Sequence, residues 1–211
     1  MILLKKQKLE NSYPISFFFS MNDFYEENAA SYYESTARVD SGTFLHPMLE
    51  YLNKGATVLD VGCGSGRDLL WLKNSGFVPT GLEKAKSLAK LANSHSQCPV
   101  LVGDFFTFEF EKYGFDAVTL IGSLVHIEAS ELKTILLRVL MSLKPGGILF
   151  ISLKEGIGKE ILEDGREFQL WQKDELDKIF LELDLSVLKH ELKVSNIRKG
   201  DQWLGYFLKV S

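Results

Sequence analysis

The chain has 211 residues, 45% of them hydrophobic and 25% charged, which suits one domain with a substantial core and excludes a chain that is disordered throughout. Its 24 Lys and Arg against 28 Asp and Glu leave a net charge of −4, and no dense basic run appears beyond Lys5, Lys6 and Lys8, so a nucleic-acid partner is disfavoured. The two cysteines, Cys63 and Cys98, form no C-x-x-C pair and fit a reducing cytoplasm. No apolar run reaches the ~18 residues of a membrane helix, so no span is expected.

Residues 1–20 carry those lysines and the run Phe17-Phe18-Phe19, but Asn11, Ser12 and Pro14 interrupt the apolar part and no small-residue cleavage site follows, which argues against a signal peptide. They are expected to stand outside the fold as an extension, with a single domain over 21–211. Between Asn22 and Leu52, Phe24, Tyr25, Ala29, Tyr32 and Tyr33, then Leu45, Met48, Leu49 and Leu52, recur at helical spacings and predict two helices.

Val58-Leu59-Asp60-Val61 is a strand that runs into glycines at 62, 64 and 66, with a helix opening at Asp68. Alternate glycines free the backbone for unusual angles and let a ligand approach the main chain. A dinucleotide fingerprint would need its third glycine at 67, where the chain has Arg67. A helix with Leu69, Leu70 and Leu72 stops at Gly76, and Phe77 to Leu82 reads as a strand followed by Glu83. That acid lies 17 residues after Gly66, close to the ~20-residue offset at which an acid meets ribose hydroxyls in nucleotide-binding folds; otherwise it is a solvated acid opening the next helix. Leu88, Leu91 and Ala92 mark that helix, Val100-Leu101-Val102 a third strand ending at Gly103-Asp104-Phe105, and Phe115 to Ile121 a fourth, apolar on both faces as a buried parallel strand should be. Gly122-Ser123-Leu124-Val125-His126 follows, then a helix from Leu132 to Leu143 with Ser130 as its cap, a Lys144-Pro145-Gly146-Gly147 link and a fifth strand, Ile148 to Leu153. Strands alternating with helices predict a parallel, doubly wound α/β sheet. The segment from Glu155 to Gln172 reads as polar, and a helix through Leu176, Ile179, Phe180 and Leu183 leads to two alternating strands, Leu185 to Val194 and Trp203 to Val210, turning around Lys199-Gly200-Asp201.

The run Asp60, Gly62, Gly64, Gly66 resembles the first motif of the class I S-adenosylmethionine (SAM)-dependent methyltransferases, and Leu-Lys-Pro-Gly-Gly-Ile-Leu resembles their link into the fifth strand. The resemblance implies a mostly parallel seven-stranded sheet closed by a C-terminal antiparallel hairpin, with covering helices at the N-terminus. It implies SAM as cofactor and S-adenosylhomocysteine (SAH) as product, with contacts from Asp60, Gly62, Cys63, Gly64, Gly66 and Arg67 in the first motif and from Glu83 and Lys84 at the ribose. Asp104 and Phe105 would meet the adenine, Ile121, Gly122 and Ser123 would follow the fourth strand, and Tyr25 and one of Tyr32 or Tyr33 would cover the cofactor.

For the acceptor, the fourth-strand end lacks the Asn/Asp-Pro-Pro-aromatic run of base-amino methylating enzymes, so a small molecule is expected, with Tyr33, His126, Arg166, Phe168 and Trp171 as candidate contacts. The segment holding Arg166, Phe168 and Trp171 is a lid or acceptor wall, or else an ordinary surface loop. His126 is the titratable group suited to removing the acceptor's proton, or else a helix-start packing residue. The alternatives are a methyltransferase for protein or RNA, a non-catalytic SAM-binding protein, and a nicotinamide oxidoreductase, the last weakened by Arg67 and the terminal hairpin. No metal site is expected.

Overall fold

The computed structural model describes residues 24–195, 198 and 200–210. The expectation for residues 1–20, and Lys199 of the expected turn, lie outside them. A helical turn at 24–27 leads into α1 (Ala29–Thr36), α2 (Gly42–Leu45) and α3 (Met48–Tyr51), then β1 (Thr57–Val61), α4 (Arg67–Asn74), β2 (Val78–Glu83), α5 (Lys86–Ser96), β3 (Val100–Val102) and β4 (Phe115–Ile121). The second half holds α6 (Leu132–Leu140), β5 (Leu143–Lys154), a short pair β6 (Lys159–Ile161) and β7 (Glu167–Gln169), α7 (Lys173–Glu182), β8 (Leu185–Val194) and β9 (Gln202–Val210).

Seven strands form one sheet in the order β3-β2-β1-β4-β5-β9-β8, parallel through β5 and antiparallel in the β9 and β8 ribbon. Strand periodicity divides the core between its two faces. Leu59, Val118, Leu120, Leu149, Ile151 and Tyr206 pack with α6 and α7 residues such as Ile135, Leu136, Leu176 and Phe180. Their sequence neighbours Val58, Ala117, Ile148, Phe150 and Phe207 pack with Leu45, Met48 and Leu72 of α2, α3 and α4. The strand order reverses between β1 and β4, so the loops after these two strands diverge and leave a crevice at their carboxyl ends.

Four local expectations are corrected. The N-terminal stretch is more broken than two helices: Asp40 accepts a hydrogen bond from the Gly42 N–H (2.9 Å), and Pro47, which has no N–H to donate, separates α2 from α3. Ser130 is not the cap; a 3₁₀ turn at Ala129–Glu131 precedes α6, with Glu128 and Glu131 forming a capping box. Lys144 to Gly147 belong to β5, whose register slips between Phe115↔Leu143 and Ala117↔Ile148; Gly146 (φ 75°) takes up the bulge. The polar segment after β5 contains the β6 and β7 hairpin, tethered where the Gln169 N–H donates to the Val125 carbonyl (2.7 Å). Beneath the hairpin, Lys154 is 3% exposed and pairs with Glu160 of β6 and with Asp201 (2.9 Å) before β9. A buried cation needs such partners. No helix among the described residues is long and apolar enough to cross a membrane.

Candidate active site

The crevice holds two adjoining cavities. The first is floored by the turn after β1 and walled by the ends of β2, β3 and β4. Gly62 (φ 72°) is where the turns after β1 and β4 touch, since a Cβ there would stand 2.5 Å from Ser123 Cβ. At Gly64 (φ 54°) a Cβ would meet the Tyr32 ring at 3.4 Å. Gly66 (φ 77°) has a different reason for being glycine: a Cβ would lie 2.7 Å from the Ala92 carbonyl, so this position lets α4 and α5 approach. The Cys63 side chain also turns from the cavity, toward Gly81, and burial pushes its thiol pKa up.

Glu83 is 8% exposed; its carboxylate accepts hydrogen bonds from the Gly64 N–H (3.0 Å) and the Ala85 N–H (3.0 Å). It therefore ties the glycine turn to the end of β2. Burial raises its pKa, against the pull of those backbone donors. Asp60 accepts from the Thr119 hydroxyl (2.7 Å), and its second oxygen is buried without a partner. Burial first, and then Asp68, push its pKa up to about 8. Asp104 accepts from the Phe106 N–H (2.9 Å) and pairs with Lys84 (2.9 Å), while Phe105 and Phe106 lie ring against ring at 4.9 Å beside them. Ile121, Gly122 and Ser123 line this cavity too, the Ser123 hydroxyl buried without a partner.

The second cavity lies beyond β4, between the N-terminal cover and the β6 and β7 hairpin. Arg67, Arg166, Phe168 and Trp203 line it, and it shares Tyr25, Tyr32, Ile121 and Gly122 with the first. Arg67 donates to Asp68 (3.2 Å), and Arg166 pairs with Asp164 (2.7 Å) while lying over the rings of Phe24 (4.8 Å) and Phe168 (5.7 Å). The cover is held down where Glu26 accepts from the Ser87 hydroxyl (2.6 Å) and N–H (3.0 Å) at the start of α5.

His126 lines the first cavity with both ring nitrogens engaged, Nδ1 to the Glu167 carbonyl (2.8 Å) and Nε2 to the Tyr25 hydroxyl (2.7 Å). Burial, then the nearby Arg166 charge, lower its pKa to about 4, with the Glu167 carbonyl and Asp164 opposing. The imidazole is neutral at pH 7.

Two of the acceptor candidates face elsewhere. The Tyr33 hydroxyl turns to His95 Nδ1 (3.0 Å), and it is Tyr32, its neighbour on α1, that reaches the glycine turn. Trp171 is no acceptor wall: it is 3% exposed in the core with α6 and α7, because the chain must re-enter the sheet there, its backbone N–H donating to the Lys154 carbonyl (2.9 Å). Trp203, which sequence reasoning passed over, lies against Gly122, where a Cβ would stand 3.3 Å from its ring. Hairpin pairing holds the clue, since β9 runs antiparallel to β5 and its first residues must lie at the carboxyl end of β5, with Trp203 opposite Lys154.

Residues 58–147 match a family described as a methyltransferase domain. The ubiquinone biosynthesis O-methyltransferase of Xanthomonas axonopodis pv. citri is 37% identical over 121 residues, covering 51% of this chain and 49% of that protein. The probable tRNA methyltransferase 9B of Bos taurus is 29% identical over 133 residues, 62% of this chain and 28% of its own length. This chain thus spans less than half of either relative. Among solved structures, the 1,6-didemethyltoxoflavin-N1-methyltransferase of Burkholderia thailandensis, with 1,6-didemethyltoxoflavin and SAH bound, superposes over 96% of this chain and 93% of its own with a TM-score of 0.71 at 20% identity. Residues 58–147 thus carry the methyltransferase-domain match, and the fold of the chain is that of the solved class I SAM-dependent methyltransferase.

Proposed function

We propose that the protein transfers a methyl group from SAM to a small-molecule acceptor. The observation that carries this reading is the pair of contiguous cavities at the sheet's switch point, one suited to a nucleoside and the other opening from it across Tyr25, Tyr32, Ile121 and Gly122. The residues present fit the cofactor. The glycine turn offers backbone without Cβ atoms, Glu83 keeps lone pairs for ribose hydroxyls, and Asp60 and Ser123 each hold a buried polar atom that has no protein partner. Lys84 competes for Asp104, but its side chain is 35% exposed, and an exposed ion pair is worth only ~0–1 kcal/mol, so a ligand amine displaces it at little cost.

SAM supplies a methyl group already activated on a sulfonium. The chain's task is to align the acceptor with it, an effect that can reach ~7–11 kcal/mol, and to exclude water. The cover and the hairpin do both, closing on each other through Arg166 and Phe24. A net charge of −4 and an aromatic-lined second cavity favour a small acceptor. The similarity to a tRNA methyltransferase keeps RNA as a second reading. We place the protein in the cytoplasm, where Cys63 and Cys98, both buried free thiols, stay reduced.

Calorimetry with SAM and SAH tests the cofactor; absence of binding overturns the reading. Incubation of lysate with the protein and methyl-labelled SAM, followed by separation into small-molecule, protein and RNA fractions, tests the acceptor. Label in the small-molecule fraction is expected, and label confined to RNA selects the second reading.

A further inference from the structure

We propose that Tyr25 is a catalytic residue and that His126 acts only through it, the two forming a proton relay for acceptors that keep an O–H or N–H proton at neutral pH. The inference rests on the methyl-transfer reading above. A group passing from the first cavity to the second passes among the four residues that line both. Of these, only the two tyrosines carry a polar side-chain atom. The Tyr32 ring lies against Gly64, whereas the Tyr25 hydroxyl meets His126.

The direction of that hydrogen bond follows from its neighbour. The Glu167 carbonyl can only accept, so His126 Nδ1 carries the proton. A neutral imidazole then has its lone pair on Nε2, and the Tyr25 O–H donates into it. With both nitrogens engaged, an acceptor cannot reach His126 directly; it reaches the phenol oxygen. The charged groups around the pair are Arg166 and Asp164 on the hairpin side and Glu83 at the end of β2.

In the step, a lone pair of the acceptor atom forms the bond to the methyl carbon as the carbon–sulfur bond breaks and its electron pair stays on sulfur. The acceptor's proton passes to the Tyr25 oxygen as the Tyr25 proton passes to His126 Nε2. The products are the methylated acceptor, a neutral thioether and an imidazolium. The positive charge lost at sulfur reappears on the imidazole, so the net charge of the closed site is unchanged. This balance lets a buried ring that resists protonation on its own take the proton during transfer. Release to water after opening restores it.

The test measures transfer of label from methyl-tritiated SAM into the small-molecule fraction of a lysate, by the wild type, Tyr25→Phe, His126→Gln and the double variant. Glutamine still offers an oxygen to the Tyr25 hydroxyl but takes no proton, so it preserves a structural contact and breaks a relay. Each single variant is expected to be slower by about 10²-fold or more, with SAH affinity within about twofold of wild type and the double variant no slower than either single. The wild-type rate should be flat from pH 6 to 9, and the variants' rates should climb about tenfold per pH unit. Spectra of ¹⁵N-histidine-labelled protein with SAH should show His126 as the Nδ1–H tautomer, neutral to below pH 5. A wild-type rate in His126→Gln, losses that multiply in the double variant, or an Nε2–H tautomer overturns the relay while leaving the methyltransferase reading intact. Absence of transfer by the wild type, with SAH still bound, overturns both.

Discussion

The two sides of the crevice are built from different materials. On the proposed cofactor side the lining is backbone and acids fixed at strand ends: Gly62 and Gly64 hold left-handed angles, and Glu83 clamps the turn through two N–H groups. On the proposed acceptor side much of the lining comes from side chains of segments outside the main sheet, Tyr25 and Tyr32 from the cover and Arg166 and Phe168 from the hairpin, joined by Trp203 at the start of β9. A site made of backbone tolerates few substitutions, because its geometry is the geometry of the fold. A site made of side chains on added segments can change its ligand without disturbing the sheet.

Gly62→Ala should have the largest effect on this contrast. Its Cβ would collide with Ser123 at a left-handed φ, so a stability loss of about 2–4 kcal/mol and loss of measurable SAH binding are expected by thermal melting and calorimetry. Normal SAH affinity would show that the two turns are not locked together. Glu83→Ala comes next: it removes the carboxylate we propose for the ribose together with the Gly64 clamp, and should weaken SAH binding by about 1–3 kcal/mol. Unchanged affinity would remove the ribose assignment.

Asp60 gives a pH-dependent effect. Its folded pKa, raised to about 8, lies above the ~3.9 of an unfolded chain, so the native state holds a proton that the unfolded state releases. That contribution is complete below about pH 4 and is lost as the pH rises through 8. Asp60→Asn keeps the acceptor for Thr119 and cannot ionise, so the wild type should lose melting temperature relative to the variant between pH 5 and 8. A constant difference would mean that the carboxyl is ionised throughout. The smallest effect is expected from deleting residues 1–20, which lack the periodicity of an element that buries a face and which we place outside the domain. Melting temperature and SAH affinity should not change, and a large fall in either would make that segment part of the domain.

Legibility in the sequence follows the same division. The glycine turn, the acids at 83 and 104 and the buried strands could be read because backbone angles and two-sided burial restrict which residues can stand there. The cover and the hairpin could not be resolved so far. Tyr32 and Tyr33 are adjacent and chemically identical, and only the rotation of α1 decides which meets Gly64. Trp171 and Trp203 look alike in sequence, yet one is core and the other lines a cavity, because that choice depends on where β9 docks. Gly66 and Cys63 belong to the motif by spacing, but a missing Cβ looks the same in sequence whether it makes room for a ligand or for the Ala92 carbonyl of a neighbouring helix.

The placement of Trp203 beside Gly122 has an optical consequence. Of the three tryptophans, Trp171 is sealed in the core and Trp71 of α4 packs against His46 away from both cavities, so their emission should stay constant, whereas the Trp203 indole lines the second cavity, as Arg198 does. Molecules entering that cavity change the polarity and quenching around one fluorophore. The protein thus carries an intrinsic reporter on the proposed acceptor side, and compound collections can be screened by emission on the SAH-saturated protein before any methylated product has been identified.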